Sequence, residues 1–282
     1  MTQVILNADD FGRSASVNAA VMQAHLEGVL TSASLMIAGD AVEEAVILAR
    51  ETPTLAVGLH VVVVSGRATL PAREIPHLAD NSGRFSDDPF RIGLYYFLSN
   101  TAQRELAREL EAQFDRFVAT GLPLSHVDSH LHMHIHPTVF NLLLPLAERY
   151  GAHGLRLPRD DLWLGLSYDR QRAGTKATWA IVFGLLCRWC LGRLRNRRLA
   201  VTDRVYGLMQ TGHMQEAYVL RLLHRLHVPT AELYFHPSIV AEGEALGPNP
   251  GDLATLLSPA VRQTIEERGL SLTTYPTLRE GG

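Results

Sequence analysis

Short apolar and β-branched runs alternate with longer segments of helical periodicity along nearly the whole chain, which is the βα pattern of a parallel sheet. The runs VILNA (4–8), SASLMI (32–37), LAVGLHV (55–61), LSHVD (124–128), GLRLP (154–158), DRVYGL (203–208), AELYFH (231–236) and LSLTTY (270–275) read as strands. Eight of them in a 282-residue chain predict an α/β fold: one domain, 1–282, built as a TIM-barrel-like (β/α) barrel or a distorted relative of it. Between the strands, Ser14 opens a helix over 15–27 closed by Gly28, and Asp40 with Glu43 opens the next. Thr101 opens a long charged helix ended by Gly121, and Pro137 starts the helix over 137–150.

Two stretches break the alternation. Residues 64–88, rich in Gly, Pro and Asp, are too long for an ordinary connection and read as an active-site lid. Residues 159–202 read as an insertion. Within it, TWAIVFGLLCRWCLGRLRNRRL (178–199) has an apolar stretch too short to span a bilayer, followed by Arg193, Arg195, Arg197 and Arg198. Trp179, Phe183, Leu186 and Trp189 at helical spacing suit peripheral contact with lipid headgroups; packing of that side on the barrel is the equal alternative. No repeat or low-complexity tract is present.

Composition narrows the classes. Lys+Arg 26 against Asp+Glu 29 gives a net charge of −3, so no global positive field recruits nucleic acid. Cys187 and Cys190 lie together in an apolar stretch and read as small core residues rather than a redox or zinc pair. The first residues, MTQVILNADDFG, lack the pattern of a cleaved secretion signal, so a cytoplasmic location is expected.

The barrel reading makes a geometric prediction, since catalytic groups in such folds follow the C-terminal ends of strands. Asp9 and Asp10 follow the first run, His60 closes the third, Asp128 and His130 follow the fourth, Arg156 ends the fifth and His236 the seventh. Adjacent carboxylates at a strand end suit one metal ligand and one base. HVDSHLHMHIHP places His126, His130, His132, His134 and His136 on alternate positions, one face if extended. One strand cannot surround an ion, so one or two ligands are expected here, joined by a carboxylate and His60.

NADDFG, VGLH and HVDSHLHMH, in this order and spacing, resemble the YdjC/ChbG-type carbohydrate deacetylases, a likeness running to YFHPS (234–238). The resemblance implies a distorted barrel of the polysaccharide-deacetylase-like kind that removes acetyl groups from N-acetylated amino sugars with one divalent ion. By the same resemblance Asp10, His60 and His130 hold the metal, magnesium in the family although zinc also suits the donors. Asp9 is then the base and His236 the proton donor. His132 is expected at the substrate. Arg156 either holds a sugar hydroxyl or pairs with Asp9, and Asp128 either orients a ligand histidine or caps a turn. The 178–199 segment resembles the hopanoid-associated branch, HpnK, which implies a glycolipid substrate, N-acetylglucosaminyl hopanoid, at the inner membrane face. Soluble chitooligosaccharide is the alternative. A histidine-rich phosphoesterase would need further ligands, and a non-catalytic sugar-binding module would not need Asp9. Oligomeric state, a homodimer included, stays open.

Overall fold

A computed structural model describes residues 2–241, 243–244 and 246–280. Every expected strand forms: β1 (Gln3–Phe11), β2 (Ser32–Leu35), β3 (Ala56–Val61), β4 (His126–Ser129), β5 (Gly154–Leu155), β6 (Arg204–Tyr206), β7 (Thr230–Phe235) and β8 (Ser271–Leu272). All pairings are parallel, in the order β5-β4-β3-β2-β1-β7-β6, with β8 against the start of β1. From Val4 onward every residue of β1 is buried, because both faces of a parallel sheet are covered; that is why these runs are apolar rather than alternating.

The sheet curls without closing by a regular ladder. Arg156, just beyond edge strand β5, bonds to Glu232 on β7 near the opposite edge, which a flat sheet forbids. Among the described residues no strand pairing joins β5 to β6. The gap is bridged singly, by Leu155 N–H to the Ala200 carbonyl at 2.9 Å and Val205 N–H to the Arg159 carbonyl at 3.4 Å. The barrel is therefore distorted, as the resemblance implied.

Local chemistry explains most helix boundaries. Helix α1 (Ala15–Leu26) starts at Ser14, whose hydroxyl accepts from Val17 N–H at 3.2 Å. Helix α2 (Val42–Glu51) departs from expectation: Asp40 does not cap it and instead faces Arg67. Among the described residues no side chain caps its first N–H groups; Asn18 of α1 instead ties the turn down, donating to the Ala41 carbonyl at 2.9 Å and to Glu44 at 2.8 Å. Helices α3 (Pro89–Leu98) and α4 (Asn100–Ala119) meet at Ser99, whose hydroxyl accepts from Ala102 N–H and supplies the cap assigned to Thr101. Pro137 opens α5 (Pro137–Arg149) at its first turn.

The 64–88 stretch is a packed wall. Ala68, Ile75, Leu78 and Phe85 are buried, and Glu105 and Glu109 of α4 accept from the backbone N–H groups of Thr69, Leu70 and His77. The 159–202 stretch folds into α6 (Leu162–Tyr168) and α7 (Ala173–Leu194). At 22 residues α7 is long and apolar enough to cross a membrane by length and composition, which corrects the expectation that its apolar stretch is too short. Of the two readings open for its aromatic side, packing on the barrel is the one formed. Phe183, Leu186 and Trp189 pack onto the core, and Ile181, Val182 and Leu185 are exposed instead. Cys187 and Cys190 are buried beneath, and burial pushes the Cys187 thiol up to about 12, so both serve as packing.

One contact inside the barrel is unusually close. A Cβ added at Gly58 of β3 would lie 2.5 Å from Cε1 of His126, whose ring is held by Ser34 and stacked on Tyr275. Gly58→Ala is expected to lower the unfolding free energy by about 1–3 kcal/mol or more, read from denaturant melts. An unchanged midpoint would show that the ring is free to move aside.

Candidate active site

The end of β1 turns two adjacent carboxylates to different tasks. Regular strand geometry sends neighbouring side chains to opposite faces, but Asp10 has φ 63° and Gly12 φ 88°, and the register to β2 shifts between Ala8 and Phe11. A left-handed aspartate is strained by about 1–3 kcal/mol, which the surrounding bonds must offset. Both carboxylates consequently stay buried at the mouth of the barrel. Asp9 faces Arg156; Asp10 faces two histidines.

Asp10 Oδ1 lies 3.2 Å from His130 Nδ1 and 3.5 Å from His60 Nε2. These three residues each offer one ligand atom, all within 4.8 Å of one another. His60 is aimed from behind, because its Nδ1 meets Asp128 Oδ1 at 2.8 Å and Asp128 sits opposite it in the β3–β4 register. Asp128 thus orients the histidine, one of the two readings open for it. Its other oxygen accepts from Ser34 at 2.8 Å and from Arg156 at 2.8 Å.

The five histidines do not share a face. Strand β4 stops at Ser129, and 130–135 forms a 3₁₀ turn in which Leu131 and His132 adopt φ 50° and 55°. His126 points into the barrel, and His130 reaches Asp10. His132 Nε2 lies 3.0 Å from the Tyr234 hydroxyl, His134 bridges Ser129 and the Arg156 carbonyl, and His136 leads into α5 beside Phe97. Only His130 joins the cluster.

Arg156 is fully buried and contacts three carboxylates. It meets Asp9 through two bonds of 2.7 Å, Asp128 at 2.8 Å and Glu232 at 2.8 Å, and it lies over the Tyr234 ring. Arg156 has no exposed surface, and of the two readings open for it the pairing with Asp9 is the one present. Glu232 and the Tyr275 hydroxyl that donates to it at 2.6 Å went unnoticed in the sequence, although a glutamate inside the apolar run AELYFH was the available signal. Arg13, 3.2 Å from Asp10 Oδ2, was also missed. His236, at the end of β7, places Nε2 4.0 Å from Asp9 Oδ2, while its backbone N–H is held by Asp252.

Burial alone would raise the Asp10 carboxyl, but His130, His60 and His236 overcome it and hold the group far below the carboxylate range. Burial opposes charge on His60 too, yet Asp128, with Asp9 and Asp10, raises it to about 9. Burial dominates at His126 and His134, each pushed down to about 4, and at His132, pushed well below its ordinary value. A second cluster, Asp9 with His60 and Asp128, has ligand spacing as well. The Arg156 guanidinium already occupies both of its carboxylates, so a cation there would be repelled. The Asp10 cluster borders a cleft of about 600 Å³ lined by Arg13, Met36, Val62, Arg67 and Leu131.

Two outcomes follow from this geometry. Asp128→Asn should weaken divalent-metal binding by about 10–100-fold in calorimetric titration, because it removes the charge that aims and polarises His60; unchanged affinity would deny Asp128 that role. In imidazole NMR, His126 and His134 should remain neutral down to about pH 5. Histidines in the unfolded chain take up protons near pH 6.5, so both groups favour the folded state at neutral pH and lose that contribution as pH falls toward 4. Asp160, raised by burial to about 6, opposes them in part: its contribution favours folding below about pH 4 and is lost as pH rises through 6.

The sequence profile of the YdjC-like protein family matches residues 3–267. A carbohydrate deacetylase of Geobacillus stearothermophilus is 32% identical over 96% of this chain and 96% of its own length. A carbohydrate deacetylase of Brevibacillus brevis is 45% identical over 57% of this chain, a match that spans 60% of that relative. The fold is similar to a crystal structure from Enterococcus faecalis V583, of a protein with a proposed role in cellobiose-phosphate cleavage, at a TM-score of 0.77 and 24% identity over 98% of both chains. With the profile spanning nearly the whole barrel, strand ends and histidine turn included, the chain belongs to the YdjC-like protein family.

Proposed function

We propose that the protein is a metal-dependent hydrolase that removes the acetyl group from an N-acetylated amino sugar. The observation that carries this reading is the separation of labour between adjacent aspartates: Asp10 belongs to a three-ligand cluster, and Asp9 stands beside it, fixed by Arg156 and 4.0 Å from His236. The names of the carbohydrate deacetylase relatives support the same reaction class.

One carboxylate and two imidazoles, all buried, form a donor set that fits a divalent cation, with Asp10, His60 and His130 as holders. An ion held there would supply Lewis-acid polarisation of the acetyl carbonyl and a lower pKa for the attacking water. Asp9 accepts a proton from that water as the C–O bond forms. Asp9 Oδ1 accepts from both Arg156 and Asn7, at 2.7 and 2.9 Å, whereas Oδ2, among the described residues, accepts only from Arg156 and keeps a lone pair for the proton. His236 then delivers a proton to the amine nitrogen as the C–N bond breaks, leaving acetate and a free amino sugar. His132, held by Tyr234 and kept neutral by burial, lines the approach from α7. Magnesium is the metal by family resemblance; two nitrogen donors make zinc the chemical competitor.

The finer reading is a lipid-linked substrate, N-acetylglucosaminyl hopanoid, met at the inner membrane face. The exposed Ile181, Val182 and Leu185 on α7, followed by exposed Arg195 and Arg198, support it.

The test is acetate release from N-acetylglucosaminyl bacteriohopanetetrol and from diacetylchitobiose, using protein stripped of metal and then reconstituted with Mg²⁺ or Zn²⁺. Asp9→Asn should lower turnover by about 10²–10⁴-fold while metal affinity persists, and Asp10→Ala should lose metal binding. Release by the stripped protein, or full activity in Asp9→Asn, would sink the mechanism. Preference for diacetylchitobiose would remove the lipid reading and leave the reaction.

A further inference from the structure

Helix α7 and the chain leaving β5 and β6 enclose a cleft of about 320 Å³. Arg159, Arg188 and Arg204 converge on it from three separate segments, with Asp160 as the one acid in its lining. Asp160 is committed elsewhere. Its Oδ2 accepts from the N–H groups of Gly207 at 3.1 Å and Met209 at 2.9 Å, and its Oδ1 from Asp161 N–H at 2.6 Å. Among the described residues no carboxylate pairs with any of the three guanidinium groups; Arg204 has only a weak contact of 3.4 Å to the Asp203 carbonyl. Solvated arginines on an open surface would be unremarkable. Here Arg159 and Arg204 are half-buried, and Phe183 and Met209 form apolar walls, so the positive potential is concentrated rather than screened.

We propose that this cleft is a binding site for a phosphate group, as a phosphomonoester or phosphodiester. Guanidinium forks match phosphate oxygens in pairs, the volume lies within the range of small-ligand sites, and an anion relieves the mutual repulsion of the three arginines. The cleft shares a wall with the catalytic side. The Phe183 ring stands edge-on to His132 at 5.8 Å, and His132 is bonded to Tyr234, which also packs on Arg156 and His236. Phe183, His132 and Tyr234 stand in series between a phosphate held here and Arg156 and His236. Its carrier is either a soluble phosphate ester or a lipid headgroup reached across the exposed apolar face of α7.

Inorganic phosphate and glycerol 3-phosphate are titrated calorimetrically into the full chain, and flotation is measured with phosphatidylcholine vesicles with and without phosphatidylglycerol. Arg188 is exposed and makes no hydrogen bond among the described residues, so Arg188→Ala should fold normally, checked by its melting curve. Saturable phosphate binding is expected, weakened by about tenfold or more in Arg188→Ala and by less than about twofold in an Arg195→Ala/Arg198→Ala control outside the cleft. Vesicle binding that needs phosphatidylglycerol and falls in Arg188→Ala assigns the lipid source; phosphate binding without vesicle binding assigns the soluble one. Absence of saturable binding, or equal loss in the cleft and control variants, overturns the proposal. Binding is read without turnover, so failure of the deacetylase reading leaves this result standing.

Discussion

One buried guanidinium organises the mouth of the barrel. Arg156, with no exposed surface, draws Asp9 from β1, Asp128 from β4 and Glu232 from β7 to a single point. Three carboxylates so close would repel one another in a low-dielectric interior, and the cation makes their assembly possible. Loss of one partner from such a network typically costs about 3–5 kcal/mol, because the remaining charges stay buried and unpaired. Pairing across the sheet also supports the curl, since β5 and β7 lie far apart in strand order.

From that centre, influence passes outward through short bonds. Asp128 is shared between Arg156 and His60, so the charge that neutralises the interior also aims the imidazole at Asp10. Glu232 is braced on its far side by Tyr275, whose ring stacks on His126 beneath Gly58. Desolvation pushes His126 and His134 down to about 4, whereas the carboxylates around His60, Asp128 foremost, raise it. Residues of one type thus shift in opposite directions according to whether burial or a neighbouring carboxylate dominates.

Backbone strain distributes the ligands. Asp10, Leu131 and His132 all adopt left-handed conformations that non-glycine residues rarely take. Without the first, Asp9 and Asp10 would point to opposite faces. Without the others, the alternating histidines would run along one face instead of dividing between the metal-ligand cluster, Tyr234 and the Arg156 carbonyl. Helix α7 completes the surroundings by covering His132 with Phe183 on one side and presenting apolar residues outward on the other.

Eight parallel strands, their order along the chain and the gathering of Asp9, Asp10, His60, His130 and His236 at strand ends were legible in the sequence. They rest on local periodicity and on the polarity of βα units, which put strand C-termini on one face. The helix starts at Ser14 and Pro137 were legible for the same local reason, whereas Asp40 is drawn to Arg67, a residue distant in sequence, and leaves α2 without a side-chain cap. The duty of Arg156, the partnership of Glu232 with Tyr275 and the side of α7 that faces the core were settled only by the fold. Each depends on which residues distant in sequence meet once the sheet curls, and a charge compensated across the barrel leaves no periodic trace along the chain.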